Sequence, residues 1–257
     1  MRTDINCDMG ESFGSYRIGR EVEVMPFITS ANVACGWHAG DPMIMEHTLE
    51  LAKKHGIGVG AHPGYPDLLG YGRRNLETFP GEIRNYILYQ IGALDAFARA
   101  AGLKLQHVKP HGAMYNLAAR DERAAGEVIA AVKAFDPELI LVALAGSLCA
   151  QMAANAGLRV AREVFPDRAY LSNGQLAPRS MAGAVIHDPE TVKERVFKLV
   201  KTGQMTSIDG HEITLEMDTL CVHGDNSGAS QLVKTIRETL ESSGIHVVPM
   251  EMAQASS

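Results

Sequence analysis

Long hydrophobic runs are missing from this sequence. No apolar stretch approaches the roughly 20 residues that a membrane-spanning helix requires. A basic stripe is missing too. Acidic and basic side chains are interspersed, 30 against 24, for a formal net charge of −6. That balance excludes the electrostatic footprint of a protein that binds nucleic acid or an anionic membrane. Cysteine is scarce. Cys7, Cys35, Cys149 and Cys221 stand far apart and form no paired metal motif. They read as small reduced core residues rather than a disulfide framework, with a nucleophilic role the alternative to packing. The opening Met1-Arg2-Thr3-Asp4 lacks a signal peptide's apolar region, so a cytoplasmic location is expected. There is no low-complexity segment and no interdomain linker. A Walker-type Gly-Lys-Ser/Thr loop is absent, which weakens an ordinary P-loop nucleotide site, and no His-Glu-x-x-His supplies a local metal signature.

What is present is room and rhythm. The 257 residues suffice for one α/β barrel or two smaller domains. Four helical segments end in glycine and pass straight into a strand, at Gly56, Gly102, Gly157 and Gly244. Glycine tolerates the left-handed conformation that stops a helix. Repeated joints of this kind mean βα units and a parallel sheet. Strands are expected near 3–7, 28–35, 57–61, 104–109, 139–144, 158–162, 218–223 and 245–248. Helices are expected near 42–55, 80–101, 113–134 (broken around Asp121), 147–156, 189–202 and 227–242. Asp41-Pro42 and Asp188-Pro189 offer N-caps followed by proline at the first helical position, and Asn226-Ser227 offers another cap. The expected architecture is α/β: a single (β/α) barrel of seven or eight units over 1–257, with a doubly wound sheet as the alternative. Asp209-Gly210 signals a two-residue hairpin, a small insertion near 205–215. Two long loops, 61–78 and 163–180, carry aromatic and arginine side chains and read as ordered lids.

Polar residues gather where the expected strands end. Strand one finishes in Asn6, Asp8 and Glu11, and alternation puts Asn6 and Asp8 on one face. Strand two gives Asn32, and its loop gives Trp37, His38 and Asp41. Strand three ends in His62-Pro63-Gly64. Strand four runs from His107 to Gly112, with His107, Lys109 and His111 on one side, and strand seven ends in His223-Gly224-Asp225. In a barrel all these ends open on one mouth. The fifth strand, Leu139 to Leu144, ends apolar, as a strand with no such duty should. Each residue also has a plain structural reading. Asp41 is a helix cap, His38 a partner for a loop carbonyl, and His47 and His55 surface residues. Lys109 is costly to bury unless it meets an anion or carboxylate, and Asp8 is its expected neighbour. Two chemistries fit. A divalent metal between Asp8, His62 and a further histidine would activate water. Alternatively Lys109 and Arg73 would hold an anionic substrate while Asp8 acts as base.

The segments Asp4–Glu11, Ser30–Pro42, Gly60–Asp67, Val108–Asn116 and Cys221–Asp225, with Gly72-Arg73-Arg74 and Val164–Tyr170, resemble the LamB/YcsF family along nearly the whole chain. Trp37, where other aromatics are usual, and Pro166, in place of a small residue, are departures outside the proposed chemistry. The resemblance implies a barrel of the glycoside hydrolase/deacetylase type. It also implies ATP-dependent hydrolysis of 5-oxo-L-proline to L-glutamate with two partner subunits, PxpB and PxpC. ATP would be the co-substrate, accompanied by a divalent metal such as Mg2+, and a homo-oligomer is compatible with the chain. On that reading Asp8, Lys109 and His62 are catalytic. Asn6, Glu11, Asn32, His38, Arg73, His111, His223 and Asp225 bind substrate. A metal, if present, involves Asp8 and His62. Two rivals stay open: a stand-alone metal-dependent amidase or deacetylase on the same barrel, and a non-catalytic substrate-binding subunit.

Overall fold

The computed structural model describes residues 2–223 and 228–254. Its strands are β1 (Arg2–Met9), β2 (Ser30–Ala34), β3 (Gly58–His62), β4 (Leu105–Val108), β5 (Ile140–Leu144), β6 (Val160–Val164), β7 (Gln204–Thr206), β8 (Glu212–Thr214), β9 (Thr219–His223) and β10 (His246–Val247). The helices are α1 (Glu21–Val24), α2 (Pro42–His55), α3 (Glu82–Ala100), α4 (Gly112–Ala118), α5 (Glu122–Phe135), α6 (Leu148–Asn155), α7 (Pro189–Thr202), α8 (Ala229–Ser242) and α9 (Met250–Gln254). Strands β1 to β6 and β9 are parallel neighbours in that order, and β9 also bonds to β1. The sheet is therefore a closed barrel of seven strands wrapped by helices, not an open doubly wound sheet.

The expected eighth strand shrinks to β10, which pairs only with Arg2 and Thr3. From Asp4 and Asn6 onward β9 and β2 already occupy the two edges of β1, so no full-length place is left. Helix starts follow their caps. Asp41 accepts from the Met43 and Ile44 amides, Asp121 from Ala124 and Asp188 from Thr191. Asp121 also supplies the break between α4 and α5. The cap expected at Asn226-Ser227 lies outside the described residues. The antiparallel pair β7–β8 turns through a wider loop than two residues, because Ser207 bonds across it to His211 and Gly210 takes the left-handed conformation.

Apolar burial lies mostly between strands and helices, where Ile5, Val33, Val59, Val108, Leu141 and Leu220 pack against the apolar faces of α2, α3, α5 and α8. Inside the barrel, Ile140, Val142 and Ala161 form a smaller cluster with Met250 of α9. The rest of the interior is polar. Asp4, fully buried, accepts from Thr29, Ser30 and Thr219 at 2.6–2.7 Å. Thr219 in turn accepts from Asn6 Nδ2, and Ser30 from Gln106 Nε2. Gly58 and Gly60 make this possible. A Cβ at Gly58 would lie 2.0 Å from Gln106 Nε2, and one at Gly60 would lie 2.2 Å from the His107 ring. The register irregularity between β3 and β4 brings both of these β4 side chains inward.

Candidate active site at the carboxyl ends of the strands

The polar column reaches the mouth at Asn6, Asn32 and Asp8. Asn32 Nδ2 donates to Asn6 Oδ1 at 2.7 Å and to Asp8 Oδ1 at 2.9 Å, and its Oδ1 meets His107 Nε2 at 2.7 Å. His107 is thus a buried structural neighbour of the site, and burial pushes its pKa down to about 3.

Lys109, just past the end of β4, is the centre of the arrangement. Its Nζ lies 2.9 Å from Asp8 Oδ1, 2.8 Å from Glu163 Oε1, 3.3 Å from Asn6 Oδ1 and 3.1 Å from Cys221 Sγ. Burial opposes the charge, but Asp8, Cys221 and Glu163 outweigh it and hold the amine well above its ordinary range. Lys109 is accordingly a fixed ammonium, not a nucleophilic amine or a base. Glu163 is fully buried and also accepts from the Tyr115 hydroxyl at 2.7 Å.

Next to this network lies a group of imidazoles. His62 Nε2 stands 3.3 Å from Asp8 Oδ2. His38 and His111 stack with ring centroids 3.7 Å apart. Glu11 Oε1 is 3.5 Å from His38 Nε2 and 3.6 Å from His111 Nδ1, while Glu11 Oε2 accepts from the Tyr71 hydroxyl at 2.7 Å. Burial lowers the pKa of both His38 and His111, so these rings are neutral at ordinary pH. Glu11, His38, His62 and His111 are all buried and offer donor atoms within 4.8 Å of one another, a group that could hold a metal ion. Asp8 stands beside this group rather than within it.

Asp8, His62, Lys109 and His111 line the floor of a cavity of about 470 Å³. That volume suits a small-molecule site, typically about 300–1,000 Å³. Its walls carry Arg73, Arg120, Arg168 and Arg179, and Phe165. Arg73 stacks over Tyr71, whereas its neighbour Arg74 pairs with Asp67 and does not line the cavity.

The structure thus brings Asn6, Asp8, Glu11, Asn32, His38, His62, Lys109 and His111 into one continuous cluster, with Arg73 at the rim. His223 closes β9 in register with Asp8. Asp225 lies outside the described residues. His47 and His55 are exposed on α2, and the four cysteines are free and buried. Sequence reasoning missed Glu163, Tyr115 and Tyr71 as members of the site. The strand expected over 158–162 in fact extends to Val164, which makes Glu163 a strand residue. Alternation with buried Ala161 could have placed it on the inner face. Tyr71 carried no such signal. It is the single non-glycine with positive φ among the described residues, at 55°, and that turn presents its carbonyl to His111 Nε2 at 2.8 Å.

Among the described residues no helix is long and apolar enough to cross a membrane. A relative from Syntrophobacter fumaroxidans, named as a subunit of 5-oxoprolinase, is 81% identical over 250 residues, which cover 97% of this chain and 99% of the relative. One of the same name from Pyrococcus horikoshii is 55% identical, covering 98% of each chain. The crystal structure of the lactam utilization protein from Thermus thermophilus superposes with a TM-score of 0.90 at 49% identity, over 96% of this chain and 99% of that one. The profile of the LamB/YcsF family matches residues 3–255, and the chain belongs to that family.

Proposed function

We propose that this chain is the barrel subunit of an ATP-dependent 5-oxoprolinase, which hydrolyses 5-oxo-L-proline to L-glutamate with formation of ADP and phosphate. It would act with two partner subunits of the PxpB and PxpC type, and Mg2+ would accompany the ATP. One observation carries the reading: a carboxylate, an imidazole and a fixed ammonium form the floor of a cavity whose walls are rich in arginine. The names of the relatives supply the substrate class.

A five-membered lactam is a stable amide, and water attacks it slowly. Transfer of the γ-phosphoryl group to the lactam oxygen, with ADP leaving, turns it into a good electrophile. Water then adds to the ring carbon and gives its proton to Asp8. The ring C–N bond breaks, the nitrogen takes up a proton, and an acyl phosphate of glutamate remains. A second water cleaves this to L-glutamate and phosphate. Phosphorylated species carry extra negative charge, which Arg73, Arg168 and Arg179 suit. Lys109 fixes Asp8 through Oδ1, and Asp8 Oδ2 and His62 Nε2 form a polar pair at the cavity floor. Asn6 and Asn32 hold that geometry from below. His38, His111 and His223, with Glu11 and Asp225, complete the substrate-binding set.

An ATP-dependent glutamate-release assay on 5-oxoproline, with and without the partner chains, tests the reading. Release that needs ATP and all three chains supports it. The donor cluster favours one rival, a stand-alone metal-dependent amidase, which would turn over without ATP and lose activity with a chelator.

A further inference from the structure

As neutral rings, His62 and His111 face each other with the wrong atoms for a hydrogen bond. His62 Nδ1 is 2.7 Å from the Lys109 carbonyl oxygen, and a carbonyl only accepts, so Nδ1 carries the proton and Nε2 a lone pair. His111 Nε2 is 2.8 Å from the Tyr71 carbonyl oxygen, so its Nδ1 likewise carries a lone pair. These two lone-pair nitrogens lie 3.0 Å apart. The Glu11 carboxylate, an acceptor, and His38 Nε2, an acceptor in one of its two tautomers, point at the same spot. Glu11 Oε1 and His38 Nε2 are buried and have no hydrogen-bond partner. A carboxylate oxygen and three imidazole nitrogens thus converge within 4.8 Å of one another, and a cation at their centre would turn their mutual repulsion into attraction.

We propose that Glu11 Oε1, His38 Nε2, His62 Nε2 and His111 Nδ1 form a binding site for a divalent transition metal of the zinc class. Three imidazoles and one carboxylate match the ligand preference of such ions far better than that of Mg2+ or Ca2+. The spacing agrees. Ligands at about 2.1 Å in a tetrahedron lie about 3.4 Å from each other. Here three of the donor pairs are 3.0, 3.5 and 3.6 Å apart, and all four atoms lie within 4.8 Å of one another. The surroundings are built for it as well. The Lys109 and Tyr71 carbonyls fix two of the rings in the metal-binding tautomer, the usual duty of groups behind metal-bound histidines. Gly64 and Gly72 make space for the rings. A Cβ at Gly64 would lie 2.7 Å from His38 Nδ1, and one at Gly72 would lie 2.7 Å from His38 Cβ and 2.8 Å from the His111 ring. His62 and His111 also line the cavity floor, so the ion would border the substrate space next to Asp8. It would act there as a Lewis acid toward a carbonyl or water oxygen.

The test is metal binding by the full chain alone, without substrate, ATP or partner chains. Its failure therefore leaves the lactam reading standing, and failure of the glutamate assay leaves this site standing. Chelator-treated protein is loaded with Zn2+ or Co2+, desalted, and its metal content measured. About one tightly held equivalent is expected, with the intense visible absorption of four-coordinate Co2+. Folded His38→Ala and His111→Ala variants should lose it, while His55→Ala, on the exposed face of α2, should keep it. Should these variants not fold, the wild-type Co2+ spectrum decides. Less than about 0.1 equivalent in wild type, a weak six-coordinate spectrum, or undiminished binding by folded His38→Ala overturns the site.

Discussion

Glu163 Oε1 and Asp8 Oδ1 hold the same ammonium, that of Lys109, at 2.8 and 2.9 Å, from the two strands, β6 and β1, that flank β9. Two carboxylates on one cation leave the group negative overall. Removing the cation leaves two buried acids facing each other. Lys109→Ala should lower turnover of the reconstituted enzyme by at least about 10²-fold, in line with loss of an electrostatic contact. It should also cost roughly 3–5 kcal/mol of stability. Near-normal glutamate release would remove Lys109 from the mechanism.

Tyr115→Phe tests the second carboxylate more gently. It deletes one hydrogen bond to the buried, charged Glu163 and keeps the ring packed against Phe165. A loss of about 1.5–3 kcal/mol in urea unfolding is expected, with the ion pair intact. An unchanged unfolding midpoint would mean that Glu163 does not depend on this hydroxyl.

Asp4 sets a pH dependence. Burial raises its carboxyl from 3.8 to about 6, against the three hydroxyls that donate to it. An acid whose folded pKa is raised binds more protons in the native state. Its contribution to stability is therefore greatest below its unfolded pKa and falls as pH rises toward 6. Asp4→Asn should cost more at pH 4 than at pH 7, by at most about 3 kcal/mol. Denaturant titrations of both proteins at the two pH values check the sign, and a penalty that grows with pH would contradict it.

Leu141→Ala should act through stability alone. Leu141 is fully buried between barrel and helices, and truncation there costs about 2–5 kcal/mol. A thermal melt reads it, and an unchanged melting point would contradict the packing of β5.

Gly72→Ala probes the imidazole stack from behind. The residue has φ +63°, and its new methyl would press on His38 and His111. Metal uptake should fall while the circular dichroism of the helices stays the same. Full metal uptake would show that the stack can yield without losing its ligand geometry.

Much of this was legible in the chain. Glycines after α2 and before β10, and the Asp-Pro caps, mark βα units without any tertiary information, because each is a local conformational demand. The convergence of Asp8, His62 and Lys109 also followed from strand-end chemistry, since every parallel strand of a barrel opens on one side. The number of strands did not follow. It depends on which edge of β1 is free, a property of the closed sheet. Glu163 was hidden by a two-residue shift of a strand boundary. The tautomers of His62 and His111 rest on backbone carbonyls from Lys109 and Tyr71, and no side-chain pattern announces where a carbonyl will point.

The two glycines of β3 that admit Gln106 and His107 have a wider effect. They turn the barrel's axis into a lattice in which Ser30, Thr219, Asn6 and Asn32 each both donate and accept, linking the acceptors Asp4 and Asp8 to the donors Gln106 and His107. Such a lattice cannot be revised one position at a time, because any single replacement strands the partners on either side. Random mutagenesis of these inward positions should therefore return few viable single changes, and the survivors should come as matched sets. Tolerance for drift would be concentrated instead on the outer helices, away from the mouth.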